Sequence, residues 1–310
     1  MTTPATSLSK AGAGCISVAM GDYPHTRLLK ATTASLGSVP VDFVDVKPVN
    51  KAFAPMVREL RFDIAELAVA TFLQAKAYGC ALVLLPAATA CRFQEGALLA
   101  RASDRTIVSP LDLRGKRVGV RAYSQTTAVW LRGILGDDYG IEPQDIQWVT
   151  FEGAHVREFR DPPTVTRAPV GADLLAMLRG DELDAIIVGN DKPGGDDLRP
   201  VFPDPHDAAE RFFRTHGFEP VNHVVVARRT LMDERPDVAA AFLEAMQASF
   251  AAAAMSGQAT PPLGRQRLQP SITLASRYSA DQGLLPRSLT SEEMWDGLPQ
   301  LSSYLGAEWL

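Results

Sequence analysis

Apolar residues along the chain fall into short runs separated by stretches with helical spacing. CISVAM (15–20) reads as a buried strand closed by the polar turn GDYPHTR (21–27), and a helix is expected over 25–36. VDFVDVKP (41–48) alternates as a strand does, a short helix follows at 51–60, and FDIAEL (62–67) runs straight into the helical AVATFLQAKAYG (68–79). CALVLLP (80–86) is apolar throughout, and its length favours a buried strand ending at Pro86. Beyond a crossover at 102–116, a second series opens with RVGV (117–120), a helix at 126–135, IQWVTF (146–151), the helix ADLLAMLRGDEL (172–183) and a strand at 185–188. VNHVVVARR (221–229) gives another strand, and 235–255 is a long helix. A Pro- and Gly-rich linker from 256 leads to a last helix at 291–304. Two irregular stretches interrupt the pattern: the charged, Pro-rich 153–171, expected to be a surface loop or lid, and the Gly-rich 189–200.

Strands alternating with helices at this spacing predict an α/β fold with mixed, mainly parallel sheets flanked by helices. Two such series, with the chain returning to the first, predict a two-lobed clamshell that closes on a small ligand. The expected division is a disordered leader at 1–13, the first lobe at 14–105, the second at 106–216, and a return to the first lobe with C-terminal helices at 217–310.

Composition narrows the function. The 310 residues are 46% hydrophobic and 22% charged, enough for real cores, and the net charge is −5 without a basic run. Nucleic acid is therefore not an expected partner, since phosphate binding needs clustered positive charge. The cysteines Cys15, Cys80 and Cys91 are odd in number and share no CxxC spacing, so buried free thiols are expected, with no disulfide framework and no zinc site. The N-terminal MTTPATSLSKAGAG has neither the basic start nor the apolar core of a signal peptide. No run nears the ~18–20 uninterrupted apolar residues of a membrane span. The expectation is a cytoplasmic protein with no membrane partner, and the sequence leaves monomer and homo-oligomer open.

Candidate chemistry gathers at two helix starts. In RAYSQTTAVW (121–130), Tyr123, Ser124, Gln125, Thr126 and Thr127 stand between a strand and a helix whose first N–H groups lack internal partners and favour an anion. Simple capping by Ser124 or Thr126 is the plainer alternative. GDYPHTR repeats the arrangement in the first lobe with Asp22, Tyr23, Thr26 and Arg27. Two such ends facing one cleft would suit a two-headed acid, with Tyr23 and Tyr123 flanking a ring or simply packing at the lobe edges. Trp130 and Arg132 lie two apart on the helix and do not share a face, so Trp130 is the expected core residue, and Arg132 reaches either a carboxylate or a surface partner.

The segments GDYPHTRLL, FDIAELAVATFL, LRGKRVGVRAYSQTTAVWLRGILGDDYGI, LLAMLRGDELDAII, VFPD and PVNHVVVARR resemble, in order and spacing, the 4,5-dihydroxyphthalate decarboxylase family, whose fold is that of type 2 periplasmic solute-binding proteins. The resemblance covers roughly 17–253. It implies a cytoplasmic, non-oxidative lyase acting on a small aromatic carboxylic acid bearing hydroxyls. Such chemistry strictly requires no cofactor and no metal if the hydroxyls push electron density into the ring, and the sequence leaves any catalytic metal open. It further implies His223 as proton donor, placed where the family carries a His after its FPIM run, and Glu66 as the acid following the third strand. A structural His beside a strand and a helix-start carboxylate are the plainer readings of these two residues. Two departures stand out. Where the family has an FRHS-like run, this chain has CRFQEGALL, with Arg92 retained but Gln94 and Glu95 replacing cationic groups. Where the family has an Arg after IDA, GNDKPGG leaves Lys192. Lysine cannot reproduce a bidentate guanidinium fork, and Glu95 would repel a carboxylate if it faced the cleft. An altered substrate, a different lyase reaction on a small carboxylic acid, and a solute-binding or sensor protein without catalysis are the competing readings.

Overall fold

The computed structural model describes residues 14–189 and 193–310, so the leader at 1–13 and Lys192 lie outside the described residues. Among the described residues the strands gather into two six-stranded sheets. The first takes β1 (Ile16–Ala19), β2 (Ser35–Leu36), β3 (Val39–Phe43), β4 (Ile64–Ala68) and β5 (Leu82–Cys91). The second takes β6 (Leu98–Arg101), β7 (Arg117–Val120), β8 (Gln147–Thr150), β9 (Thr166–Arg167), β10 (Ala185–Ile187) and β11 (Leu198–Pro200), and the chain then returns to the first sheet as β12 (Val221–Arg228). The spatial orders are β2-β3-β1-β4-β12-β5 and β11-β6-β10-β7-β8-β9. β1 lies parallel to β3 and β4, and β7 parallel to β8 and β10, whereas β12 and β6 run antiparallel to their neighbours. This is the mixed two-lobed α/β fold read from the pattern. β6 pairs in the second sheet, so the first crossing falls between Cys91 and Leu98, earlier than the expected boundary at 105.

The helices are α1 (Arg27–Thr32), α2 (Phe53–Glu59), α3 (Val69–Ala77), α4 (Thr126–Tyr139), α5 (Leu174–Arg179), α6 (Pro205–His216), α7 (Arg229–Glu234), α8 (Pro236–Met255), α9 (Arg265–Asp281) and α10 (Ser291–Met294). Several differ from expectation for local reasons. α1 stops at Thr32 because β2 and β3 form a hairpin around Gly37, whose φ of 61° suits a tight turn. β5 continues past Pro86 to Cys91: it is an edge strand, and its register with β12 shifts between Val224 and Val225, so the missing proline N–H costs no ladder bond. α9 occupies the expected linker despite Pro270, burying Leu268, Ile272, Ala275 and Tyr278. The last expected helix breaks at Gly297 (φ 95°) into α10 and a 3-10 turn at Leu298–Leu301.

α8 is, among the described residues, the one helix long and apolar enough to cross a membrane by length and composition. It buries Phe242, Leu243, Met246 and Phe250 in the core, and its Ser249 hydroxyl joins the start of α1, donating to His25 O and accepting from Leu29 N. The lobes are stitched together by Trp130, fully buried on α4, which donates from Nε1 to Val221 O at 2.9 Å. Cys15, Cys80 and Cys91 are free and partly buried.

Candidate active site

A cavity of about 540 Å³ opens between the lobes, where β4 ends, β12 begins and α4 starts. On the first-lobe side, strand alternation places Glu66 and Ala68 of β4 on one face. His223 of β12 stands opposite Ala68, and Val225 opposite Glu66, so His223 and Glu66 are diagonal neighbours. His223 Nδ1 lies 2.6 Å from Glu66 Oε1. Tyr23 donates its hydroxyl to the same oxygen at 2.7 Å, and Gly21 N–H donates to Oε2 at 2.8 Å.

Glu66 is completely buried. Burial opposes its charge, but the hydrogen bond and charge of His223, the Gly21 N–H and the Tyr23 hydroxyl together hold its carboxyl below the usual range. Burial, followed by the charge and hydrogen bond of Glu66, pushes the Tyr23 phenol far up, so it stays a donor. A carboxylate only accepts, so His223 Nδ1 carries a proton and presents the other nitrogen elsewhere. The imidazole lines the cavity, and no described residue hydrogen-bonds Nε2. Phe53 walls the site, edge-on to His223 at 5.2 Å and to His155 at 5.7 Å.

The second lobe presents the start of α4. Gln125 is extended at the cap position and its side chain makes no capping bond, and Ser124, Gln125, Thr126 and Thr127 all line the cavity. The first N–H groups of α4 are thereby left for an occupant of the cleft. Thr126 Oγ1 accepts from Ala70 N of the first lobe at 3.3 Å, so this residue ties the lobes rather than capping. Arg92, also lining the cavity, donates to Thr127 Oγ1 at 2.7 Å, bringing a guanidinium beside the helix mouth.

The other expected residues lie elsewhere. Asp22 is exposed and paired with Lys30 and Lys47, and Arg27 is exposed too. Thr26 is buried within its own turn, its hydroxyl bonded to Gly21 O, Tyr23 O and Tyr23 N. The first-lobe helix start therefore does not meet the ligand cavity; its contribution is Tyr23, through Glu66. Tyr123 is a core residue, donating to Gln282 O, with the buried Arg132 guanidinium 4.0 Å over its ring. Arg132 meets neither a carboxylate nor the surface: it bonds Gln282 Oε1 and Tyr123 O. Glu95 does not face the cleft; it is buried among α4 and α6 residues, and burial pushes its carboxyl up. Gln94 is wholly buried and amide-paired with Asn222, with bonds of 2.9 and 3.4 Å.

Sequence reasoning missed His155, Arg121, Glu152, Thr71 and Asn50, all lining the cavity. His155 Nδ1 lies 2.9 Å from Thr71 Oγ1 across the lobes. Burial, then the charges of Arg121 and Arg58, push its pKa down to about 4, so it is neutral near pH 7. No local pattern marks it, because its loop reaches the site only through tertiary contacts: Arg58 of α2 clamps that loop by donating to His155 O and Ala154 O. A second hollow, of about 650 Å³, lies between α6 and α9, but neither Glu66 nor His223 lines it.

No protein-family model matches the chain. It is 30% identical over 257 residues to a 4,5-dihydroxyphthalate decarboxylase of Comamonas testosteroni, spanning 77% of this chain and 75% of that one. It is 30% identical over 218 residues to the enzyme of the same name from Pseudomonas putida, spanning 64% and 81%. Among solved structures it is similar to the periplasmic aliphatic sulphonate binding protein SsuA of Escherichia coli (TM-score 0.51, 14% identity, 93% and 84% covered). It is also similar to the Candida albicans CA3427 gene product, which has the generic periplasmic binding protein fold (TM-score 0.53, 12% identity, 97% and 98% covered). At such identities the structural likeness speaks to fold alone.

Proposed function

The chain belongs to the 4,5-dihydroxyphthalate decarboxylase family, and from that premise we propose that it is a non-oxidative carboxy-lyase that takes a hydroxylated aromatic carboxylic acid into the cleft between its lobes. The observation that carries this reading is the His223–Glu66 pair: a buried carboxylate fixes one imidazole nitrogen and leaves the other for the cavity.

The chemistry follows from that arrangement. The ring hydroxyls feed electron density into the ring carbon that bears the carboxylate. His223 Nε2 donates its proton to that carbon, forming the C–H bond and dearomatising the ring. The bond to the carboxyl carbon then breaks, its electrons restore aromaticity, and CO2 leaves. His223 recovers its proton from water when the cleft opens. Glu66 stabilises the imidazolium that must exist before transfer and keeps the ring oriented, while Tyr23 and Gly21 hold Glu66 in place. The α4 N–H groups and Arg92 grip an acid group, and closure of the lobes excludes water from the reacting carboxylate.

Incubation with hydroxylated benzoates and phthalates, followed by CO2 release, tests the activity. His223→Asn should lower kcat by about a hundredfold or more with ligand affinity nearly unchanged. If ring acids bind but none loses CO2, the clamshell is a binding protein and the proposal fails.

A further inference from the structure

Resting on the decarboxylase reading above, we propose that this cleft is matched to an aromatic acid carrying one carboxylate, whose ring hydroxyls donate to Asn50 and Gln125, rather than to the dicarboxylate named for its relatives. The charges lining the cavity balance. Among the described residues, the lining arginines Arg92 and Arg121 are matched in number by Glu152 and Asp173, and the His223 imidazolium by Glu66 behind it. Arg121 is held by Glu152 at 2.7 Å, and Asp173 caps α5 by accepting from Ala176 N at 2.8 Å. His155 adds no charge near neutrality, since burial and the flanking arginines keep it unprotonated. The α4 mouth with Arg92 beside it forms one anion-binding end. A second carboxylate would meet Arg121 already neutralised, with Glu152 or Asp173 adjacent, and like charges brought together cost affinity.

At the floor of the site, Asn222 lines the cavity and is backed by Gln94 in a mutual amide pair, and the cation beside that pair is the same Arg92 that stands at the α4 mouth, whose Nε donates to Gln94 Oε1 at 3.5 Å. Glu95 is turned into the protein and supplies nothing to the cleft.

What the cleft offers instead is acceptors. Asn50 Oδ1 in the first lobe and Gln125 Oε1 in the second are both buried, both belong to residues lining the cavity, and neither has a hydrogen-bond partner among the described residues. An unmet buried acceptor is unfavourable, and a ligand that donates to it recovers that loss. Phenolic hydroxyls are such donors. Contacts to Asn50 and Gln125 at once would also draw the lobes together.

Calorimetric titration of the whole protein with 3,4-dihydroxybenzoate and 4,5-dihydroxyphthalate isolates the second carboxylate, because the two share their hydroxyls. The expected result is at least about tenfold tighter binding of the benzoate. Glu152→Gln, at an exposed position, frees Arg121 and should narrow that ratio several-fold. 3,4-Dimethoxybenzoate, which has no hydroxyl to donate, should bind about tenfold more weakly than its dihydroxy counterpart. Tighter binding of the phthalate, an unchanged ratio in Glu152→Gln, or equal affinity for the dimethoxy compound overturns the proposal. So does CO2 release from the phthalate alone, an outcome that would leave the decarboxylase reading standing. Preferential binding of the dihydroxybenzoate without CO2 release from any ring acid would uphold the match and sink the decarboxylase reading instead.

Discussion

The starts of α1 and α4 look alike on paper: strand, polar turn with a tyrosine, hydroxyl side chains, helix. In the folded protein they do different work. At α4 the turn opens into the interlobe cavity, and Ser124, Gln125 and Thr127 line it. At α1 the turn closes on itself through Thr26, Asp22 and Arg27 face outward, and Tyr23 alone reaches inward to Glu66. The difference lies in what each helix must do for the fold. α4 has 14 residues, ten of them buried between the lobes, so its start is held at the lobe boundary. α1 has six residues, buries Leu29 alone, and serves as a cover for α8. Under the proposed function, one helix start would bind the acid and the other would wire the proton donor.

On this division the severest change is at the wire's centre. Glu66→Gln keeps the shape but removes the charge that stabilises protonated His223. kcat should fall by about a hundredfold or more, and the alkaline limb of the rate–pH profile, where a general acid is lost by deprotonation, should change. A variant that merely melts sooner, with normal turnover and pH profile in its folded fraction, would reduce Glu66 to a structural group.

Next comes the second-lobe loop that packs on the first lobe. His155 is pushed down to about 4, whereas an unfolded histidine titrates near 6.5. Between those values the unfolded chain takes up a proton that the folded protein refuses. Its contribution to stability is therefore complete above pH 6.5 and is lost as the pH falls toward 4, by up to about 3 kcal/mol. Urea unfolding at pH 7 and pH 4.5 should show that loss, and His155→Asn should flatten it. Thr127→Val removes the hydroxyl that holds Arg92 at the α4 mouth. KM should rise about tenfold with kcat little altered, as expected when a hydrogen bond to a charged group is lost from binding.

How much of this could be read from the chain follows the same contrast. The apolar runs announced the two sheets, because a strand's periodicity is local. Glu66 and His223 were found through resemblance, and their pairing needed the register of β4 against β12, which no local pattern encodes. α6 was announced and overlooked: Asp204 caps it, Pro205 opens it, and Gly217 ends it with φ 76°. α9 was hidden by Pro270, which argues against a helix unless burial outweighs it. His155 and Asn50 carry no signal at all, since a loop and a 3-10 turn become part of a site only when the lobes meet.

The smallest effect is expected where the sequence suggested the largest similarity. Asp22 and Arg27 occupy, at the α1 start, the places that a second anion grip would need. Yet Asp22 is spent on exposed pairs with Lys30 and Lys47, and Arg27 points to solvent. Exposed ion pairs of this kind contribute ~0–1 kcal/mol because water competes for both partners. The double variant Asp22→Asn, Arg27→Ala should therefore leave kcat and KM within about twofold and stability within about 0.5–1 kcal/mol. A tenfold rise in KM would mean that the first helix start swings onto the ligand when the lobes close. The assignment of acid binding to α4 and proton delivery to the α1 turn would then have to be redrawn as a shared grip.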